Sequence, residues 1–545
     1  MNFLLTDTNL IITSINLRSI QDILKSKTFF IIVERFLKEY TLKKNLDPSF
    51  TASTIIEAYE LLFNKSNDST KNRLISQYTD TLILLNEDLY NYWRKINRCC
   101  LLFDEKDLVE TSELLNGLII SFYRNIQQTL MNTNFLVYRQ LPAGFNALFS
   151  VINYDVPLNS CYRKLHGIPH IVQALLKPPL ILKTKSNTRT DFFKETRTNI
   201  LSNINMKSDE YCCYPIYVGK LKAYVYCHLS FLHHLISLSN LFEPIPRKVF
   251  ESSKPDLICL FGVESKKFDG MIYHDKKNEI YVGCIDRIDK NDYFGYMKKM
   301  LLTLHNLASI DDKKLPIHGA MVNIITSSGQ EKNIVVIGDS GAGKSETLEA
   351  LRVVASSKIK HISVIFDDMG IFYEEHGNIV ASGTEIGAFV RLDDLEDDYV
   401  YQELDRAIFI NPNQKNARVV LPISNYQYVI KSYPIHMVLY ANNYSKTNKE
   451  IEFYSSLDDA LMEFINGKRL AKGTTSEIGM TKSFFANPFG PLQRKKQTLL
   501  MIQEIFGKLY SEKIPIGTIY TKLGLKGYEI KGPQSVAQKL MDFLD

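Results

Sequence analysis

The spacing of apolar positions changes along this chain. Over the first 150 residues they recur every three or four residues, as in IIEAYELLF (55–63) and LILLNEDLYNYWRKI (82–96). Polar stretches such as NKSNDST (64–70) separate them. That period predicts helices, and so a helical N-terminal region over 1–150 with a structural role in packing or oligomerisation. From 151 to 310 the pattern is mixed, with short β-rich runs such as EIYVGCI (279–285) and proline clusters at KPPL (177–180) and EPIPRK (243–248). From 311 to 545 short apolar runs alternate with helical patterns. IVVIGD, ISVIFDD and HMVLYANNY read as parallel core strands. The expectation is an α/β chain in three regions, 1–150, 151–310 and 311–545.

One of those strands runs into chemistry. Residues 334–346 read IVVIGDSGAGKSE, which is G-x-x-x-x-G-K-[ST] after an apolar run and before the helical pattern TLEALRVVA. Backbone N–H groups of such a loop, Gly338, Asp339, Ser340, Gly341, Ala342 and Gly343, can curl around phosphate oxygens. The following helix turns its positive end to the same anion. Lys344 supplies charge for the terminal phosphates, and the Ser345 hydroxyl can hold a divalent metal. The motif predicts binding of a nucleoside triphosphate or a similar polyphosphate.

Neighbouring segments narrow the reaction. ISVIFDDMG ends an apolar run in Asp367 and Asp368, and a carboxylate at a strand end beside phosphates suits a bridging cation. Upstream, His318 stands in LPIHGAMVNI, and Lys298 and Lys299 are adjacent inside the aromatic and apolar segment YFGYMKKML. A lysine with a buried stem can be driven to a lower pKa and act as a neutral ligand or proton donor. Downstream, ASGTEIGAFVRL carries Glu385 and Arg391, QELDRAIFINP carries Glu403, and Arg418 precedes a Val-Val-Leu-Pro strand. An arginine reaching a transferring phosphoryl group stabilises its spread charge.

Composition changes this picture little. The 545 residues are 45% hydrophobic and 23% charged, ordinary for a globular protein. A net charge of +5 without a dense basic stripe predicts no nucleic-acid partner. The eight cysteines form no C-x-x-C spacing, which predicts reduced, mostly buried thiols and a cytoplasmic location. The start lacks a basic n-region, and no run of 18 apolar residues occurs, so neither a signal peptide nor a membrane partner is expected.

Taken in order, YMKK, IHGAMVN, GDSGAGKS, FDDMG, the Glu-Gly aromatic-cation segment and NAR before a proline resemble phosphoenolpyruvate carboxykinase. The likeness continues into FINGKRLAKGTTSEIGMTKSFFANPFGP (464–491). It implies a carboxykinase-like C-terminal nucleotide-binding domain with a mixed sheet, preceded by a mixed α/β substrate domain. It implies that Lys299, His318 and Asp368 ligate Mn²⁺, with Lys298 beside that metal or on the substrate. Lys344 and Ser345 would hold the β/γ phosphates of ATP and their Mg²⁺, and Asp367 would orient waters on the metals. Arg391 falls where the family uses a lysine near the phosphates, Arg418 matches an arginine bridging γ-phosphate and substrate, and Glu403 matches a glutamate close to the nucleotide. Arg189 in NTRTDFF would bind oxaloacetate. The implied reaction is oxaloacetate plus ATP giving phosphoenolpyruvate, CO₂ and ADP.

The chain departs from that family at two points. Its loop ends Ser345-Glu346, so that GDSGAGKSE resembles the HPr kinase/phosphorylase family. The segment after the aspartates, DDMGIF, also differs. Two further readings therefore stand beside the carboxykinase: a kinase on a protein or metabolite without decarboxylation, and a regulatory nucleotide binder that has lost catalysis. The phosphoryl donor stays open among ATP, GTP and pyrophosphate.

Overall fold

The computed structural model describes residues 3–544 apart from 7, 14–17, 45, 65–74, 104–106, 135–136, 138–139, 159, 189–191, 355–357, 393–403 and 472–478. The chain forms two compact units, one of Met1–Asn153 with Pro169–Pro178, the other of Tyr154–Ile168 with Pro179–Asp545.

In the first unit, strands β1 (Phe3–Leu5), β2 (Asn9–Ile12), β3 (Asn97–Phe103), β4 (Ala147–Asn153) and β5 (Pro169–Leu176) lie in that order. The β2–β3 and β3–β4 pairs are parallel, and the outer pairs are antiparallel. Helices α1 (Lys27–Lys44), α2 (Ala52–Asn64), α3 (Thr79–Lys95) and α4 (Leu108–Met131) supply most of its core, including Phe36, Ile55, Tyr59 and Phe122. The expected helices are present, and the unit also holds a sheet that the spacing does not predict. Its sheet escaped the periodicity because NRCCLLF is buried at six successive positions. A short run buried on both faces has no alternation to read.

The strands of the second unit are β6 (Leu180–Leu182), β7 (Lys194–Thr196), β8 (Tyr211–Val218), β9 (Leu221–His228), β10 (Leu257–Val263), β11 (Met271–Asp275), β12 (Ile280–Asp286), β13 (Leu315–Thr326), β14 (Glu331–Ile337), β15 (Ile359–Glu375), β16 (Asn378–Gly383), β17 (Gly387–Arg391), β18 (Ile408–Ile410), β19 (Arg418–Pro422), β20 (Tyr433–Pro434), β21 (Met437–Asn442), β22 (Ile451–Phe453), β23 (Lys468–Leu470), β24 (Met480–Lys482) and β25 (Ile516–Tyr520). Its longer helices are α5 (His233–Leu241), α6 (Phe294–Asp311), α7 (Lys344–Val354), α8 (Leu457–Asn466), α9 (Lys495–Ser511) and α10 (Lys531–Leu540).

The sheet that carries the site runs β20-β16-β15-β13-β14-β21-β25-β22. Both of its faces are covered. Ile317, Met321, Val335 and Ile337 join one core with Phe464 of α8 and Phe506 of α9. Ala320, Val322, Ile334 and Val336 join another with Leu348 of α7 and Val536 of α10. Successive residues thus bury on opposite faces, which is why these strands read as unbroken apolar runs.

The parallel expectation holds for only part of this sheet. β14 is parallel to β21, and β21 to β25. β15, which contains ISVIFDD, is antiparallel to both β13 and β16. The reason lies in the turns, since Glu375 faces Asn378 across a two-residue hairpin, and a parallel pair needs a long crossover. Asp367 and Asp368 accordingly lie inside a strand that continues to Glu375, not at a strand end. A smaller sheet, β17-β19-β18-β6, holds Arg391 and Arg418 as register partners. The first sheet of this unit runs β8-β9-β10-β12-β11-β7.

No helix among the described residues is long and apolar enough to cross a membrane. The eight cysteines are free thiols, and all but Cys161 are buried.

Candidate active site

The phosphate loop follows β14 and opens α7 at Lys344. Its shape depends on glycine at Gly343, where φ is 98° and a Cβ would stand 2.7 Å from the Thr521 side chain. Ser340, Gly341, Lys344, Ser345 and Glu346 line a pocket together with Asp367, Asp368, Phe389, Val390, Arg391 and Arg418. The Ser345 hydroxyl donates to Asp367 Oδ1 at 2.7 Å, and Lys344 Nζ donates to the Asp339 carbonyl at 3.2 Å. Opposite them, Arg391 and Arg418 face each other across β17 and β19. Two cations directly opposed on a sheet repel, and both line the pocket. The Arg418 guanidinium also lies over the Phe389 ring, 5.3 Å from its centroid, and donates to Asn416 Oδ1 at 2.8 Å.

Asp368 joins the pocket to three further predicted residues. Its Oδ2 is 2.7 Å from Lys298 Nζ and 2.6 Å from Lys299 Nζ, and its Oδ1 is 2.8 Å from His318 Nε2. β13 and β15 set this meeting by register, with Gly319 opposite Asp368, while α6 brings in both lysines. The Asp368 backbone has φ 155°, a region sparsely populated outside glycine, which costs about 1–3 kcal/mol and is held only where neighbours over-determine it.

The two lysines are shifted in opposite directions. For Lys298 burial works against the cation, but Asp368 and Glu385 outweigh it and raise its pKa. For Lys299 burial dominates, Asp368 opposes it only in part and Lys298 adds repulsion, so the pKa falls to about 8. Asp368 resists burial through the two lysines and stays well below the usual carboxylate range. Burial raises Asp367. Burial also pushes Glu385, 2.8 Å from Lys298, up to about 7.

His318 is fully buried. Its Nδ1 lies 2.8 Å from the Ala486 carbonyl, which only accepts, so Nδ1 bears a proton. Burial, then Lys344, lower its pKa, and Asp368 works in the opposite direction. Its Nε2 lies 2.8 Å from Asp368 Oδ1. A second ring proton makes that contact, and a cation held by both atoms can take its place. Lys299, His318 and Asp368 together offer nitrogen, nitrogen and oxygen donors to one, and the lowered Lys299 pKa suits a neutral amine ligand.

A second group that could hold a metal, His233, His234 and Asp292, behaves differently. Both Nε2 atoms approach Asp292 Oδ1, at 3.0 and 2.9 Å, and neither Nδ1 has a partner among the described residues. Neutral rings protonated on Nε2 satisfy that arrangement with no ion.

Of the expected site residues, Lys298, Lys299, His318, Lys344, Ser345, Asp367, Asp368, Arg391 and Arg418 therefore lie in one connected group. The Asp339 carboxylate is engaged by Arg469 and Ser483 and does not line the pocket, while the role expected of this residue concerns its backbone N–H. Arg189 and Glu403 lie outside the described residues. Glu385, Arg469, Phe389, Phe489 and the Ala486 carbonyl had been given no role. Glu385 stood in a quoted segment, but nothing there marked it for Lys298, and a backbone carbonyl has no sequence signature.

No protein-family model matches the chain, and no curated protein matches it in sequence.

Proposed function

We propose that this chain is a metal-assisted phosphoryl-transfer enzyme of the phosphoenolpyruvate carboxykinase type. It would decarboxylate oxaloacetate and pass the γ-phosphoryl group of ATP to the resulting enolate. The observation that carries this reading is the His318–Asp368 contact beside a phosphate loop, with Lys299 as a third donor. A simple nucleotide-binding loop needs no such cluster.

Lys299, His318 and Asp368 would hold Mn²⁺, and Ser345 with Asp367 would hold the Mg²⁺ of the nucleotide. The Mn²⁺ ion, when bound, supplies a Lewis acid for the oxygen that becomes anionic as CO₂ leaves. The chain's own groups do the rest. Loop N–H groups and Lys344 orient the β and γ phosphates. Arg418 and Arg391 neutralise the charge that spreads over the transferred group. Lys298, kept cationic by Asp368 and Glu385, supplies fixed positive charge where an anionic substrate approaches. Phe389 and Phe489 flank these cations and exclude water from them.

The test is His318→Ala. Mn²⁺ affinity should fall about 100-fold or more, at or beyond the roughly tenfold to 100-fold typical of losing a group that only supports a ligand, while MgATP affinity changes less than about threefold. An unchanged Mn²⁺ titration sinks the metal assignment. ATP turnover without CO₂ release moves the reading to a kinase.

A further inference from the structure

Asp339 is an anomaly, a carboxylate inside a loop whose task is to bind anions. It is buried, it does not line the pocket, and its Oδ1 lies 3.6 Å from His318 Nδ1. Oδ1 accepts the Ser340 N–H at 2.7 Å. Oδ2 accepts the Ser483 hydroxyl at 2.9 Å and lies 3.1 Å from Arg469 Nε. Arg469, itself only 3% exposed, also donates from its terminal nitrogen to the Ser340 carbonyl at 2.5 Å. One guanidinium therefore grips both the side chain of Asp339 and the next residue's backbone.

Peptide planarity gives that grip a consequence. A carbonyl and the N–H that follows it point in opposite directions. Arg469 draws the Ser340 carbonyl backwards, so the Gly341 N–H is turned the other way, and Gly341 lines the pocket. The next two carbonyls are held similarly, that of Gly341 by Asn443 Nδ2 at 2.9 Å and that of Ala342 by Thr521 Oγ1 at 2.7 Å. Arg469 and Ser483 come from the two arms of the β23–β24 hairpin region.

We propose that Asp339 and Arg469 are positioning residues that latch the phosphate loop to this hairpin and aim its N–H groups at the bound phosphate, Asp339 itself making no phosphate contact. This rests on the phosphate-site reading above. It makes the acid a structural counter-charge for Arg469 and removes the electrostatic objection to a carboxylate in the loop. A planar fork is required, because one cation must reach a carboxylate and a carbonyl together.

The test is a double-mutant cycle read by calorimetric titration of pyrophosphate with Mg²⁺. Asp339→Ala and Arg469→Ala should each weaken binding about tenfold, and the double variant no more than the worse single, because the two act as one unit. Additive losses, about 100-fold in the double, overturn the latch. Removing one partner of a buried pair can cost the fold itself, so Arg469→Lys accompanies the cycle. It keeps the charge and loses the fork, and should bind at least about threefold more weakly with an unshifted melting temperature. Wild-type affinity in Arg469→Lys overturns the proposal. Failure of the wild-type chain to bind pyrophosphate overturns the phosphate-site reading and the latch with it. Wild-type binding with unaffected variants overturns the latch alone.

Discussion

Lys298 and Lys299 are chain neighbours, yet their surroundings send them in opposite directions. Lys298 has two carboxylates within 2.8 Å, while Lys299 pairs with Asp368 and lies over the Phe489 ring. The pKa of Lys299 falls to about 8, so its amine sheds its proton as pH rises through that value. Only the neutral amine can ligate a metal. Mn²⁺ affinity should therefore rise about tenfold per pH unit below pH 8 and level off above it. Mn²⁺ titrations followed by electron paramagnetic resonance between pH 6 and 9 would check this, with Lys299→Met flattening the slope. A flat wild-type profile would remove Lys299 from the metal shell. The lysine pair, the paired aspartates and the loop were legible because each is a contiguous motif of titratable letters. The groups that tune them were not. The Ala486 carbonyl that fixes the His318 ring lies 168 residues further on, and Arg469 lies 129 residues beyond the loop residue it grips. Such pairings exist only once the chain is folded.

At the scale of elements, β13 sits between β14 and β15 and ties the loop strand to the aspartate strand. Gly319 is the residue that permits the close approach. A Cβ there would lie 2.7 Å from the Val336 carbonyl. The obstructing carbonyl is backbone of β14 and cannot yield as a flexible side chain would, so Gly319→Ala should destabilise the unit by about 2–4 kcal/mol, in the upper range for single substitutions. Thermal denaturation would measure the loss, and an unchanged melting temperature would show that the strands can part without cost. The strands of this sheet were legible as apolar runs, because both faces are buried. Their direction was not. ISVIFDD read as parallel by analogy with the loop strand, whereas the tight turn at His376-Gly377 dictates an antiparallel hairpin. The phosphate loop is nonetheless attached to a parallel pair, β14 with β21, as its strand–loop–helix pattern had implied.

For the whole molecule, the chemistry-bearing residues that the structure describes all belong to the second unit. The first unit has its own sheet and its own cores. Its helices were legible from spacing and its strands were not, and neither contributes a motif with an obvious reaction. In the second unit the glycine-rich loop, a nitrogen–nitrogen–oxygen cluster and a pair of opposed arginines come together. The most direct test supplies the 545-residue chain with oxaloacetate, ATP, Mg²⁺ and Mn²⁺, and follows phosphoenolpyruvate and CO₂ together. A carboxykinase releases both in equal amounts, depends on Mn²⁺, and loses turnover in Lys344→Ala. ATP consumption with no CO₂, or phosphoenolpyruvate formation that survives Lys344→Ala, would contradict the carboxykinase proposal.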